Sequence, residues 1–154
     1  MKISTIDNLS DMPIEKSILL WFYLSRAYHI QLKRYSQFLK TWTLTISQYE
    51  VLEKIGESGR MSQKELAEKM FLTKGNITQL IIKMEKEGFI SREQEWKTKY
   101  ILLTEKGNEL LNQVLPERKK YFAQQVQGLT SKEQKQFIKL IKKLNEAQIE
   151  ADNK

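Results

Sequence analysis

Apolar and amphipathic residues recur at Ile14, Ile18, Trp21, Tyr28, Leu32, Tyr35 and Leu39 in alternating steps of four and three, with Ser25 filling one slot. That spacing predicts a helix opened by Pro13, carrying a seam of period 3.5 over about 39 Å at ~1.5 Å per residue. Phe22 widens the apolar side. A helix this long in a small protein usually buries its stripe against more than its own short domain, so a partner subunit is expected. Next, Thr45 and Gln48 have the spacing of a capping box, and Leu44 with Tyr49 that of a hydrophobic staple. Leu52 and Ile55 continue this second helix, which should end near Gly56 or Gly59. Ser62 and Glu65 repeat the box with Met61 and Leu66 as the staple, and Ala67 and Met70 complete a helix of two to three turns. Phe71 and Leu72 form a tight connection without Gly or Pro. Thr73 then caps a fourth helix whose inner face is Ile77, Leu80, Ile81 and Met84, with Gly88 as its stop.

The period changes after Gly88. Phe89 to Gln94 and Lys99 to Leu103 are rich in aromatic and branched residues, which predicts a two-stranded antiparallel hairpin joined through residues 95–98. Thr104 caps a further helix with Leu110, Leu111, Val114 and Leu115 on its buried side. Pro116 is expected to kink it, and Tyr121, Phe122 and Val126 carry it to Gly128. Thr130 and Glu133 open the last helix, with Phe137, Ile138, Leu140, Ile141 and Leu144 inside and a frayed polar tail after Ile149. No internal repeat is evident. The fold class is therefore mainly α with a small β-hairpin, in a single domain over residues 1–154. A winged helix-turn-helix lobe occupies 45–104, flanked by helical dimerisation segments at 13–42 and 105–150.

Composition narrows the chemistry. The chain of 154 residues is 40% hydrophobic and 29% charged, with 6 Gly and 2 Pro, which suits a packed helical protein rather than a disordered or fibrous one. No apolar run approaches the ~20 residues a membrane span needs, and no secretory leader pattern stands at the start, so the expected location is cytoplasmic. With no cysteine and one histidine, thiol redox chemistry and metal clusters are disfavoured, and no cofactor is expected. Nor does any nucleophile, base and orienting acid stand out, or a Gly-rich phosphate loop, so the chain does not read as an enzyme. The net charge of +7 is compatible with a polyanionic partner without identifying one. Residues 60–106, with ten basic and seven acidic side chains, are less basic than residues 116–154, with nine and five. The order of elements is the stronger evidence.

Two short helices followed by a hairpin form the layout in which the second helix enters the DNA major groove and the hairpin reaches the neighbouring backbone or minor groove. The outward positions of that second helix are Lys74, Gly75, Asn76, Thr78, Gln79, Lys83 and Lys86, polar and compact first and basic further along. Gly75 costs about 1 kcal/mol relative to Ala, which close approach of its backbone to a phosphate would offset.

The sequence resembles the MarR-type transcriptional regulators, named for multiple antibiotic resistance. The resemblance is carried by Leu66-Ala67-Glu68, Ile77-Thr78, Met84-Glu85-Lys86-Glu87-Gly88-Phe89-Ile90 with Arg92, and Leu103-Thr104-Glu105-Lys106-Gly107. It implies a homodimer held by the first and last two helices, whose two lobes meet successive major grooves of a pseudo-palindromic duplex. It also implies a transcription factor, commonly a repressor, often released by a small aromatic effector. Thr78 and Gln79 fall at the positions that usually contact bases, and Gln79 suits adenine through a bidentate amide contact. The wing is shorter than the family pattern and lacks its acidic-x-Arg signature, so Lys97 and Lys99 become the backbone contacts and no minor-groove arginine is assigned.

The candidate DNA-binding residues are accordingly Ser62, Gln63, Lys64, Thr73, Lys74, Gly75, Asn76, Thr78, Gln79, Lys83, Arg92, Lys97 and Lys99. Trp21, Tyr28, His29, Trp42 and Tyr49 are candidates for an effector pocket, weighed against plain core and dimer packing. His29 is expected to satisfy a local hydrogen bond and Trp96 to pack back on the hairpin. Ile14, Ile18, Leu32, Tyr121, Phe137, Ile141 and Leu144 are the expected dimer contacts. The competing reading is a dimeric helical adaptor, or a nucleic-acid binder without sequence preference.

Overall fold

A computed structural model of the chain describes residues 13–152, with side-chain environments for residues 14–146. The polar lead-in before Pro13 and the last two residues of the polar tail lie outside the described residues. Helix α1 (Pro13–Leu39) runs 27 residues from the proline that the pattern marks as its start, since proline at the first helical position sacrifices an N–H that has no partner anyway. A single 3₁₀ turn (Lys40–Trp42) ends on Thr43 in the left-handed conformation, and α2 (Ile46–Ser58) follows. Thr45 and Gln48 make the expected capping box: the Gln48 N–H donates to the Thr45 hydroxyl at 3.2 Å and the Thr45 N–H to Gln48 Oε1 at 2.9 Å. The helix passes through Gly56 and stops at Gly59.

Strand β1 (Arg60–Ser62) leads directly into α3 (Gln63–Lys69), which Ser62 and Glu65 cap by the same reciprocal bonds. Phe71 takes a positive φ of 52° in the connection to α4 (Lys74–Lys86), whose N-cap is Thr73. Gly88, at φ 81°, turns the chain out of α4 into β2 (Ile90–Glu95), which pairs with β3 (Thr98–Leu103).

The expected two-stranded hairpin is in fact the larger part of a three-stranded antiparallel sheet in the order β1-β3-β2. Arg60, Met61 and Ser62 pair with Leu102, Ile101 and Tyr100. Three residues are too few to show a period, so β1 exists because β3 offers it an edge. The wing tip also differs from expectation. Trp96 does not pack back on the strands: it is 85% exposed.

Contacts divide the chain into two compact units, residues up to Asn108 and residues from Glu109 onward. The first unit has a closed apolar core. Leu39, Leu44, Tyr49, Val51, Leu52, Ile55, Met61, Leu66, Ile77, Ile81, Met84, Ile90 and Ile101 are buried, drawn from α1 to α4 and all three strands. Burying each aliphatic side chain contributes about 1.5–3 kcal/mol. The unit closes through Thr104, whose hydroxyl donates to the Gly88 carbonyl at 2.6 Å and accepts the Gly107 N–H at 3.1 Å. Gly107 must be glycine here, because a Cβ would overlap the Phe89 carbonyl.

Helix α5 (Glu105–Gln125) starts in the first unit and supplies much of the second, with α6 (Ser131–Asp152). Pro116 lies inside an uninterrupted α5, which ends at Gln125 rather than reaching Gly128. Thr130 and Glu133 cap α6 as expected, and the Gln134 amide donates to the Leu129 and Val126 carbonyls of the preceding turn. The helix continues to Asp152, past the fraying expected after Ile149. Hydrogen bonds to the Glu133 carboxylate, from the Thr130 backbone N–H and then its hydroxyl, hold that acid below the usual carboxylate range.

Candidate DNA-binding surface

Helix α4 is built to present one face and bury the other. Ile77, Ile81 and Met84, spaced four and three apart, are buried in the core. Lys74, Gly75, Asn76, Gln79, Lys83 and Lys86 consequently point away from it and are exposed. Thr73 accepts the Asn76 N–H at 3.3 Å, and no acidic residue occupies the first turn, so the positive end of the helix dipole is left for an external anion. The space where a Gly75 Cβ would stand is open, so packing does not require glycine there.

Thr78 differs from its neighbours. Its half-buried hydroxyl accepts from Gln63 Nε2 and donates to the Lys74 carbonyl, both at 2.7 Å. The first bond ties α3 to α4, the second stays within α4, and together they occupy the side chain that the pattern places on the reading surface, together with Gln63. Gln79, one residue on, is exposed and carries no such bond among the described residues.

Ser62 is likewise engaged, as the α3 cap. Its side-chain hydroxyl and then its backbone N–H donate to the Glu65 carboxylate, at 2.6 and 2.8 Å, and with the nearby charge of Lys69 they hold Glu65 below the usual carboxylate range. Lys64 is exposed, 3.9 Å from Glu68 along α3.

Two polar links that the sequence does not advertise hold α4 at its far end. The buried Gln48 side chain donates from α2 to Glu87 at 2.8 Å, and Lys106 donates to the Glu87 carbonyl at 2.7 Å. Gln48 is legible as a capping residue, but the second use of its amide, 39 residues away in the chain, has no local signal. Arg92 is the other. Its guanidinium meets Glu85 at 2.8 Å with its side chain only 28% exposed, which fastens β2 to α4 and neutralises the charge expected to face DNA. In the wing, Lys97 and Lys99 are exposed. Glu95 is paired with Arg60 at 2.6 Å, and Arg60 also lies over the Tyr100 ring at 4.2 Å.

The candidate effector residues do not converge as a set. Trp42 and Tyr49 belong to one aromatic cluster: Phe38 stands 5.0 Å from Trp42, and Tyr35 stands 6.1 Å from Phe38 and 6.5 Å from Tyr49. Tyr49 is wholly buried there. Trp21 and Tyr28 are exposed along α1, and His29 bonds to the Ser25 carbonyl at 2.7 Å, the local partner expected of it. Tyr35 and Phe38 complete the cluster: Tyr35 holds a seam position, whereas Phe38 lies off the seam and carries no such mark. Of the expected dimer contacts, Ile14, Ile18, Leu32 and Phe137 are exposed in the single chain, and Tyr121, Ile141 and Leu144 are half-buried.

A helix pair with a polar, basic outer face on its second member, backed by a hairpin, defines a winged helix-turn-helix DNA-binding regulator. The chain belongs to the MarR family. The MarR family model matches residues 44–96, from the end of the 3₁₀ turn to the wing tip. An uncharacterised HTH-type transcriptional regulator of Bacillus cereus is 38% identical over 130 residues, covering 82% of this chain and 87% of the relative. A MarR family protein from Bacillus stearothermophilus superimposes with a TM-score of 0.72 at 25% identity, covering 90% of this chain and 99% of that one. The organohalide-sensing regulator RdhR-CbdbA1625, solved with 2,4-dichlorophenol bound, shares the fold, with a TM-score of 0.75 at 20% identity over 91% of this chain and 87% of its own. The family and these relatives are transcriptional regulators and not enzymes. Among the described residues no helix is long and apolar enough to cross a membrane.

Proposed function

We propose that the protein is a homodimeric, sequence-specific repressor whose two α4 helices enter successive major grooves of a pseudo-palindromic operator. The observation that carries this reading is the two-sidedness of α4, with Ile77, Ile81 and Met84 buried while Lys74, Asn76, Gln79 and Lys83 are exposed. Gln79 is the base-reading residue, with Asn76 beside it. Lys74, Lys83, Lys97 and Lys99 hold phosphates, Thr73 and the open Gly75 backbone fix the approach, and Lys64 adds charge beside them. Ser62, Gln63, Thr78 and Arg92 act chiefly by positioning α3, α4 and β2. Apolar exposure on α1 and α6, including Ile14, Ile18, Leu32 and Phe137, supports dimerisation through those helices. The Tyr35–Phe38–Trp42–Tyr49 cluster is the candidate seat of a small aromatic effector, a reading supported by the phenol bound in the organohalide-sensing relative.

Selecting bound duplexes from a random pool tests the proposal. The expected product is an inverted repeat with half-sites about 10–11 base pairs apart, preferred over random duplex by roughly 10³-fold at fixed salt. Recovery of unrelated duplexes with equal affinity would instead mark a sequence-nonspecific binder. Absence of duplex binding would leave the adaptor role.

A further inference from the structure

The two bulky aromatics most exposed among the described residues, Phe71 and Trp96, share a second property: each sits at positive φ, 52° and 53°. For large side chains this is a disfavoured backbone region, kept only where something outweighs the strain. The wing tip is the clearer case. Glu95 and Thr98 are the last paired residues of the hairpin, which leaves Trp96 and Lys97 as a two-residue turn. Positive φ at the first central residue and not at the second is the pattern of a type II′ turn, whose first position ordinarily takes glycine. Here it holds the largest side chain available, and that side chain does not pack on the sheet. Neither folding nor burial accounts for tryptophan at this position.

The surroundings show what the ring is held for. Gln94 Nε2 donates to the Trp96 carbonyl at 2.7 Å, which fixes the turn, and Lys97 Nζ lies 4.8 Å from the ring centroid. The register puts Gln94 and Lys99 on the sheet face shared with Arg92, the side that joins α4. Glu93 and Glu95 fall on the opposite face, where Arg60 pairs with Glu95. The tip therefore offers a flat apolar plate with one N–H donor and flanking ammonium groups, and its carboxylates are turned away.

We infer that Trp96 is the wing's DNA contact, an indole wedge seated between the sugar walls of the minor groove beside the major groove that α4 enters, with Lys97 on an adjacent phosphate. The inference rests on the operator-binding reading above and identifies the part of the wing that touches the duplex. The chemistry fits. Minor-groove walls are deoxyribose, A·T steps present only N3 and O2 acceptors to an indole N–H, and apolar side chains are the usual wedges in that groove.

The test is the Trp96→Gly variant of the full-length chain, measured on the selected operator. Glycine removes the strain and the plate together, so the variant should melt no lower than the wild type and bind about tenfold more weakly, the scale of a lost aromatic stacking contact. Trp96→Phe should retain most of the affinity. Filling the A·T minor groove with a minor-groove polyamide should reduce wild-type affinity to the level of Trp96→Gly and leave that variant unaffected. Equal affinity of Trp96→Gly and wild type would overturn the inference while operator recognition stands. A loss that the polyamide does not erase would overturn the minor-groove placement. Failure of the wild type to select any duplex would remove the operator reading itself and the inference with it.

Discussion

The winged lobe and the outer helices are built from the same apolar residues and treat them in opposite ways. In the lobe, Ile77, Ile81 and Met84 are each fully buried by the other elements of their own unit. On the outer helices, Ile18 of α1 is 64% exposed, and Ile138 and Leu140 of α6 are each 55% exposed. Both regions carry an amphipathic repeat at helical spacing. The difference shows that such a repeat specifies a face to be covered without saying which chain covers it. A lobe that closes its own core can hold a reading helix rigidly. Helices with uncovered faces can join two such lobes, and the energy of covering them is available for association.

That contrast can be broken or sharpened by substitution. The largest effect is expected at Ile81→Ala, which leaves a cavity beneath α4 and should cost about 2–5 kcal/mol. Thermal unfolding measured at several protein concentrations would check it, since the loss should be present at all of them. Leu32→Glu should instead spare the lobe and release monomers, seen as a lower molar mass by light scattering. An unchanged dimer mass would count against the α1 interface.

A smaller effect belongs to Gln79→Ala. Removing an exposed amide should leave stability untouched, shift base preference at one or two positions of the selected sequence, and cost roughly 1–3 kcal/mol on the wild-type operator. A selection profile identical to the wild type would displace α4 from the groove.

The smallest effect is the pH response of the helix caps. Glu65 and Glu133 have carboxyls held below their usual range by cap hydrogen bonds, so their contribution is complete above the unfolded carboxylate range. It is lost as pH falls through the lowered values. A slight acid-side loss of helicity by circular dichroism, absent in a Glu65→Gln, Glu133→Gln double variant, is the expected result.

Much of this organisation is legible in the sequence because its signals are short-ranged. The boxes at Thr45–Gln48, Ser62–Glu65 and Thr130–Glu133 place three helix starts, since a capping bond spans only three residues. Gly88 marks the end of α4 because positive φ at a helix exit favours glycine. The buried triplet Ile77, Ile81 and Met84 then determines which side of α4 faces out.

The candidate site is legible in outline and misread in detail. Lys74, Asn76, Gln79 and Lys83 face outward as their spacing requires. Thr78 shares that arc, yet its hydroxyl is taken by Gln63, 15 residues earlier. Arg92 carries a charge that Glu85 neutralises. Side-chain type and helical angle say where a group points, and only its packed neighbours say whether it is free to bind.

By itself the sequence determined the order of the main helices and the hairpin, the capped starts at Thr45, Ser62, Thr73 and Thr130, the buried face of α4 and the family. These depend on bonds and angles within a few residues of chain. Tertiary structure decided that β1 joins the sheet by pairing Arg60 with Leu102, that Gln48 reaches Glu87, and that Trp96 stands clear of the strands. Each of these depends on which surfaces are already occupied when distant segments meet, and no local pattern encodes that.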